Sequence, residues 1–503
     1  MQVLLAAAPV LVIVGLMVGP GWSAARAGLA GVAVAAPVAV AVTGGQEGAG
    51  LLLAGAAAEA AFSAATILWI IFPALCIFEL LRRQGAFEAL RGALGGLTAD
   101  PRLLALLVAW FVALFLEGAA GFGTPVALAA PILVSLGFSP MRALTVVLVG
   151  HAAGVSFGAV GTPVFAQVAI TGFSAGDIAL RTAVLHALPG MLLAVLAARL
   201  AVGTGVPMAA GSYLWAAGAG VLFLVPFLLI AIYAGPELPT LGGALIGGAG
   251  FVLALRLARR AEGKRASPGS APRALMRGAV PYAGLLLLVG LTRLVPEIQD
   301  AARGLSWSWT LAGEFSGTFQ PLYHPGTLLF AAFVVGGLVT GAGRDDLASA
   351  MSAVARRLGV VTLALLAMLS VARLMVHGGM IDTLAFAAAS AAGPFWPLAA
   401  PLTGALGSFV TGSATASNIL FTDFQGTAAA TAGMAPLWGV AAQGFGAAVG
   451  NILCPHNVIA GAATVGLVGR EGEVLRRTLP VGIGYALAGG AILALLIETG
   501  AAS

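Results

Sequence analysis

Long apolar runs separated by short loops that carry Arg fill the chain, and no other feature constrains its fold as tightly. A helix crossing a hydrocarbon layer of about 30 Å needs about 17 to 25 residues. Runs of that kind lie near residues 3–20, 24–42, 50–80, 183–202, 211–233, 238–256, 278–295, 325–342, 357–377 and 478–498. Charged residues make up 9% of the 503 and hydrophobic residues 60%, whereas soluble domains carry roughly 25% charged residues. A water-soluble fold is excluded. So is a disordered chain, which needs low hydrophobicity and high charge. With only Cys76 and Cys454 present, a disulfide scaffold is excluded as well. No basic stretch precedes the first run and further spans follow it, so it reads as a true first helix and not as a cleavable signal.

The formal net charge of +5 comes from basic residues clustered between the runs. This is the positive-inside pattern of a membrane protein, and no nucleic-acid partner is expected. The segment 256–277 holds Arg256, Arg259, Arg260, Lys264, Arg265, Arg273 and Arg277 against Glu262. It reads as a cytoplasmic linker dividing a first half, 1–255, from a second half, 278–503. Arg82, Arg83, Arg91 and Arg102, then Arg344, Arg356 and Arg357, then Arg470, Arg476 and Arg477 mark the same side. Loop 296–324, with Glu297, Asp300 and Glu314 against Arg303, is expected outside. Lys264 is the single Lys, so no Lys can act inside the membrane.

Two regions do not read as ordinary spans. In 103–133 the apolar run is interrupted by Glu117-Gly-Ala-Ala-Gly-Phe-Gly-Thr-Pro125, and the flanking Arg102 and Arg142 both read as inside. A segment that enters and leaves on one face is a re-entrant hairpin. In 396–433 the break is Thr411-Gly-Ser-Ala-Thr-Ala-Ser-Asn418, and span counting makes that hairpin open outward. Each hairpin is followed by a broken helix, about 141–172 and about 436–469. Gly118 and Pro163 are 45 residues apart, Gly412 and Pro455 43. Irregular backbone at membrane depth is tolerated only where protein or a watery cavity satisfies its polar groups. Oppositely opening hairpins, each followed by a broken helix, are the pattern of an inverted-topology repeat with its site at the midplane. The fold class is thus an all-α polytopic membrane protein with two re-entrant hairpins and two broken helices.

At these residues the chain resembles the L-lactate permease family, which includes glycolate permeases. The matching stretches are Glu117-Gly-Ala-Ala-Gly-Phe-Gly-Thr-Pro-Val-Ala with Gly137-Phe-Ser-Pro140; Ser156-Phe-Gly-Ala-Val-Gly-Thr-Pro163; Gly235-Pro-Glu-Leu-Pro239; Pro281-Tyr282 with Leu291-Thr-Arg293; Gly412-Ser, Thr415-Ala-Ser-Asn418 and Leu420-Phe421; and Ala463-Thr-Val-Gly-Leu-Val-Gly-Arg-Glu471. The resemblance implies a bacterial inner-membrane symporter that moves small 2-hydroxymonocarboxylates with protons. It also implies a scaffold shared with a superfamily of ion transporters. Four departures fall at the breaks. The family pattern has an Asp where this chain has Ala414, a Lys where it has Asn451, and an Asn where it has His151; its Pro-Gln is here Pro455-His456.

A carboxylate at the break of the first hairpin is unfavourable unless paired, hydrated or protonated, which makes Glu117 a proton-coupling candidate together with His151. The plainer reading of Glu117 is a cap on the next half-helix. Free N–H groups at half-helix starts bind a carboxylate without any Lys, so the candidate substrate-binding residues are Gly121, Gly123, Thr124, Gly161, Thr162, Ser413, Thr415, Ser417, Asn418, His456 and Asn457. The plainer reading is that these hydroxyls and amides re-satisfy backbone freed by Gly and Pro. His186, His324 and His377 read as packing. Arg293 and Arg373 read as snorkelling side chains at span ends, with substrate gating as the alternative. Asp423 is a candidate to replace the missing acid. Trp307, Trp309 and Phe315 are expected at the outer interface.

Neither a metal cluster nor a cofactor or nucleotide motif is visible, and energy is expected from an ion gradient. The partners are a small organic anion, protons with Na⁺ left open, and the lipid bilayer; oligomeric state is open, a homodimer included. Competing functions are a cation/proton antiporter or inorganic oxyanion transporter on the same scaffold, and an intramembrane hydrolase using Ser417 and His456. No orienting acid at recognisable spacing supports the last.

Overall fold

A computed structural model describes residues 2–18, 20, 22–42, 48–121, 123–203, 206–261, 272–467 and 470–500. Residues 262–271 of the basic segment 256–277 lie outside the described residues, as do Phe122 in the first hairpin and 468–469 at the end of the second broken helix. The side chains of Pro455 and His456 also lie outside them. Within these bounds the molecule is a polytopic membrane protein built of α-helices apart from one short β-hairpin. Eight helices are long and apolar enough to cross a bilayer, or up to eleven if each of three bent pairs counts as one span. The run at 183–202 belongs to such a pair, Ala175–Ala187 and Pro189–Leu200, bent by 49°. Pro189 supplies no N–H to continue the helical ladder there.

Small residues set how closely these helices approach. Between Trp396–Thr411 and Pro436–Asn451 the packing is reciprocal: a Cβ on Gly404 would stand 2.6 Å from Gln443 O, and Cβ atoms on Gly446 and Gly450 would overlap Pro401 O and Ala405 O. Gly446 and Gly450 are four residues apart, so both face the same neighbour. Such spacing lets backbones touch in a medium where hydrophobicity does not drive association between helices.

The segment read as an acidic loop is a short helix, Pro296–Gly304, followed by an antiparallel β-hairpin. Trp307–Leu311 pairs with Phe315–Phe319 in the register Trp307↔Phe319 to Leu311↔Phe315. Ala312 and Gly313 at its turn have φ 53° and 77°. The hairpin lies on Ala49–Arg83, with the Phe315 ring in the space that a Cβ on Gly55 would take. Phe315 also meets the His377 ring edge-on, at 4.8 Å between centroids.

Arg293 and Arg373 do not snorkel. Arg373 Nε lies 3.4 Å from Glu59 Oε2, which also accepts from His377 Nε2 at 3.0 Å, and the Arg373 guanidinium donates to Ala169 O. Arg293 pairs with Glu237, which is 1% exposed. In each case a carboxylate buried in the same interior compensates the charge, so the chain need not extend to water. Towards the C-terminal end of the helix that bears Glu59, Ala49–Arg83, Glu79 binds Arg82 and Arg83, with Arg357 at 3.8 Å.

Candidate substrate site at two interrupted hairpins and two broken helices

The first hairpin descends through a π-helical stretch, Leu106–Val112, into Ala113–Ala119, and rises again as Thr124–Ser135. Gly121 and Gly123 take φ 58° and 79°, a region that L side chains enter only with strain. Thr124 Oγ1 donates to Gly121 O at 2.8 Å and so closes its own turn. Glu117, 4% exposed, sits on the descending limb. A Cβ on Gly158 would overlap its Oε1, so the bare backbone there makes room for the carboxylate.

The first broken helix runs Pro140–Gly150, a 3-10 segment Ala152–Phe157, then Gly158–Thr171. Ala159, Val160 and Gly161 are all left-handed, with φ 44°, 55° and 79°. For Ala and β-branched Val this costs about 1–3 kcal/mol each, so the surrounding packing must hold the reversal. Thr162 Oγ1 donates to Ala159 O at 2.6 Å. His151 is fully buried, and its Nδ1 donates to Val147 O at 2.8 Å. A carbonyl can only accept, so in the neutral ring Nε2 is the acceptor. Among the described residues Nε2 has no hydrogen-bond partner of good geometry; it stands 4.0 Å from Glu117 Oε2, and the Asn451 side chain lies beside the ring.

In the second hairpin, Trp396–Thr411 turns at Gly412, φ 78°, into Ala414–Thr431, whose N-cap Ser413 accepts from Ala416 N. The limbs run antiparallel: Ser417 Oγ donates to Gly404 O at 3.0 Å and Gln425 Nε2 to Ala400 O at 2.8 Å. The second broken helix is Pro436–Asn451 followed by Pro455–Val465. Its break is closed by Asn457, whose Nδ2 donates to Asn451 O at 3.0 Å and to Asn451 Oδ1.

Contacts between these parts bring the four breaks together. A Cβ on Gly121 would lie 3.1 Å from Ala159 Cβ, and one on Gly123 would lie 3.2 Å from Asn457 Oδ1. Asn418 Nδ2 donates to Pro163 O at 3.0 Å. Gln443 Nε2 reaches Ser417 Oγ at 3.0 Å and Asn418 Oδ1 at 3.4 Å. Ala414 packs with Val155, Ala447 and Ala448. Four half-helices thus start in one region, at Thr124, Thr162, Ala414 and Pro455. Each N-terminus carries roughly half a positive charge, and the contacts that join the breaks involve no Lys or Arg among the described residues. Such a centre suits a small anion held by N–H groups.

Of the residues selected from sequence, Glu117, Gly121, Gly123, His151, Thr162, Ser417, Asn418 and Asn457 lie in these contacts, Gly161 lies in the left-handed reversal, Thr124 closes the first tip's turn and Ser413 caps the half-helix after the second tip. Thr415 is buried, 5% exposed, on the first turn after the second tip. Of His456 the structure describes only its place in the helix Pro455–Val465. Sequence reading passed over Gln443 and Glu59, although an intramembrane carboxylate in an apolar helix is a functional signal by default. An apolar cavity of about 490 Å³ beside Leu107, Phe111, Phe115, Gly248 and Arg256 shares no lining residue with the breaks.

A family model described as L-lactate permease matches residues 2–499. An L-lactate permease of Streptococcus iniae is 31% identical over 389 residues, 75% of this chain and 80% of that one. An L-lactate permease of Bacillus subtilis strain 168 is 29% identical over 82% of this chain and 81% of its own. The glycolate permease GlcA of Escherichia coli K12 is 29% identical over the same shares. Among solved structures, the Alcanivorax borkumensis YdaH transporter aligns over 88% of this chain and 87% of its own, with TM-score 0.49 and 15% identity. Neisseria gonorrhoeae MtrF aligns over 85% and 80%, with TM-score 0.46 and 19% identity. By the family match across nearly its whole length, the chain belongs to the L-lactate permease family.

Proposed function

We propose that the chain is a proton-coupled symporter of a small 2-hydroxymonocarboxylate, L-lactate or glycolate in type, acting in the bacterial inner membrane. Its family makes it a multi-pass membrane transporter and not an enzyme, one that carries a lactate- or glycolate-like anion. The observation that carries the mechanistic reading is the meeting of four half-helix N-termini around a region whose joining contacts, among the described residues, lack Lys and Arg. The anion's carboxylate binds to main-chain N–H groups, and Ser417, Asn418 and Asn457 address its hydroxyl.

Coupling follows from the acid buried beside that centre. Glu117 and His151 face each other across 4.0 Å, so one proton on either of them leaves the pair neutral overall, whereas without it the buried carboxylate is uncompensated. A proton taken up there offsets the charge of the incoming anion. The two halves, 1–255 and 278–503, act as inverted repeats whose hairpins open to opposite faces, so the centre is reached from either side in turn. The basic segment 256–277 faces the cytoplasm.

The test is uptake of labelled L-lactate and glycolate into proteoliposomes with pH and Na⁺ gradients imposed separately. Symport with protons requires accumulation driven by an inward proton gradient and indifferent to Na⁺. Accumulation driven only by Na⁺, or by an outward proton gradient, refutes it.

A further inference from the structure

Arg293 ends the helix Pro272–Leu294, and Glu237 stands in the loop ahead of the helix Pro239–Ala261. Their side chains are 7% and 2% exposed. Such a pair commonly forms two parallel bonds, one to each carboxylate oxygen. Here Nε, at 3.2 Å, and Nη2 both converge on Oε1 of Glu237. Nη2 also donates to Tyr323 O at 3.0 Å, and the guanidinium lies on the Tyr323 ring at 3.6 Å from its centroid. As a result Arg293 Nη1 and Glu237 Oε2 are buried with no hydrogen-bond partner among the described residues.

Leaving one buried polar group unpaired is unfavourable by about 1–3 kcal/mol, more when it is charged. The two open atoms are a cationic donor and an anionic acceptor held on one ion pair. A ligand satisfying both must offer an acceptor, best an anionic one, to Nη1 and a donor to Oε2. A 2-hydroxycarboxylate has this pattern, since its carboxylate and hydroxyl are on adjacent carbons.

The loop's placement relates the pair to the transport centre. Pro236 O lies 2.5 Å from where a Cβ on Gly161 would stand, and Leu241 N lies 2.6 Å from one on Gly118. Thr240 Oγ1 donates to Gly154 O at 2.6 Å. The segment bearing Glu237 therefore braces both the first hairpin and the first broken helix. Arg303 also lies over the Tyr323 ring, at 4.5 Å, a second guanidinium on the same ring. His324, neutral at working pH, adds no charge there.

We propose that Arg293 and Glu237 form a recognition site for the 2-hydroxycarboxylate at the edge of the first broken helix. Arg293 Nη1 donates to the carboxylate, and Glu237 Oε2 accepts from the 2-hydroxyl. This rests on the substrate class assigned above and adds a separate selection site, where a hydroxy acid is told from a plain one before it reaches the main-chain N–H groups and Ser417, Asn418 and Asn457 at the centre. Acetate or propionate would leave Oε2 unpaired, and a site built to bond a hydroxyl rejects the analogue that lacks it.

Glu237→Gln keeps the Oε1 acceptor but replaces Oε2 with an NH₂ donor. In proteoliposomes, the KM for glycolate should rise about tenfold or more while Vmax stays within about twofold. The ratio of half-inhibitory concentrations, acetate to glycolate, should fall toward one. Arg293→Lys keeps the charge and removes Nη1, so it should weaken glycolate and acetate alike and leave their ratio unchanged. It also serves if Glu237→Gln fails to give a single peak on size-exclusion chromatography. A folded, transporting Glu237→Gln protein with unchanged KM and ratio means that only water bridges the pair, and overturns this proposal alone. A folded Arg293→Lys protein with wild-type affinity does the same. Wild-type protein that takes up neither glycolate nor L-lactate overturns the substrate reading and this one with it.

Discussion

Oε2 of Glu117 stands 4.0 Å from Nε2 of His151, while the other ring nitrogen of His151 is held by Val147 O at 2.8 Å. Because Nδ1 must donate, the nitrogen facing Glu117 accepts when the ring is neutral. One proton can thus sit on the carboxyl and point at the ring, or on the ring and face the carboxylate. Hydrogen bonds extend to about 3.2 Å, so the two arrangements interconvert only if the first hairpin and first broken helix close by roughly 1 Å.

Glu117→Gln should therefore abolish uptake driven by a pH gradient. Counterflow exchange of substrate should remain measurable, because exchange needs no net proton movement. Survival of both activities would reduce Glu117 to a helix cap.

Sidedness can be read with an impermeant thiol reagent on intact cells, since both native cysteines are buried. A cysteine at Ser316, exposed on the β-hairpin, should react. One at Ser267, in the basic segment, should be protected until the cells are permeabilised. The reverse pattern would invert the orientation of both hairpins.

Gly450→Val should destabilise the fold by about 1–3 kcal/mol or more, because its Cβ would meet the Ala405 carbonyl and neither backbone can yield cheaply. Gly484→Ala, where nothing stands within 4 Å of the added Cβ, should be neutral or slightly stabilising. Thermal unfolding in detergent compares the two, and equal midpoints would contradict the close-packed seam.

Acid should destabilise the protein through His324, which caps Pro325–Val339 by accepting from Gly326 N. Burial, with the Arg293 charge beside it, pushes His324 down to about 4. An unfolded chain has an ordinary His near 6.5 and binds the proton first, so the contribution is complete above about pH 6.5 and is lost as pH falls toward 4. His324→Asn keeps the capping acceptor and removes the titration. Its unfolding midpoint should fall less than that of wild type over that interval, and parallel declines would count against it.

The departures at Ala414 and Asn451 call for a double-mutant cycle. Ala414 packs on Ala447 and Ala448, the turn before Asn451. Ala414→Asp alone or Asn451→Lys alone places an unpaired charge in this interior, a change that destabilises by several kcal/mol. If the two positions form an ion pair in typical family members, the double variant should recover much of the expression and uptake lost by each single change. Additive losses would refute the pairing.

What could be read in the sequence is what local chemistry controls. The spans follow from runs of apolar residues, and the four breaks from Gly and Pro at Gly121, Gly161, Gly412 and Pro455, because a residue's own backbone freedom sets where a helix stops. Even the β-hairpin left a legible mark, alternating aromatic and polar residues around Ala312-Gly313, which the acidic balance of its loop obscured. What only the tertiary structure decided is which polar groups meet. Glu237 and Arg293 are 56 residues apart, Glu59 and His377 318, and Asn418 and Pro163 255. Nothing near Arg293 in the chain distinguishes a snorkelling side chain from a buried one. Its fate depends on whether another helix delivers a carboxylate to the same depth, and that is a property of how the helices pack.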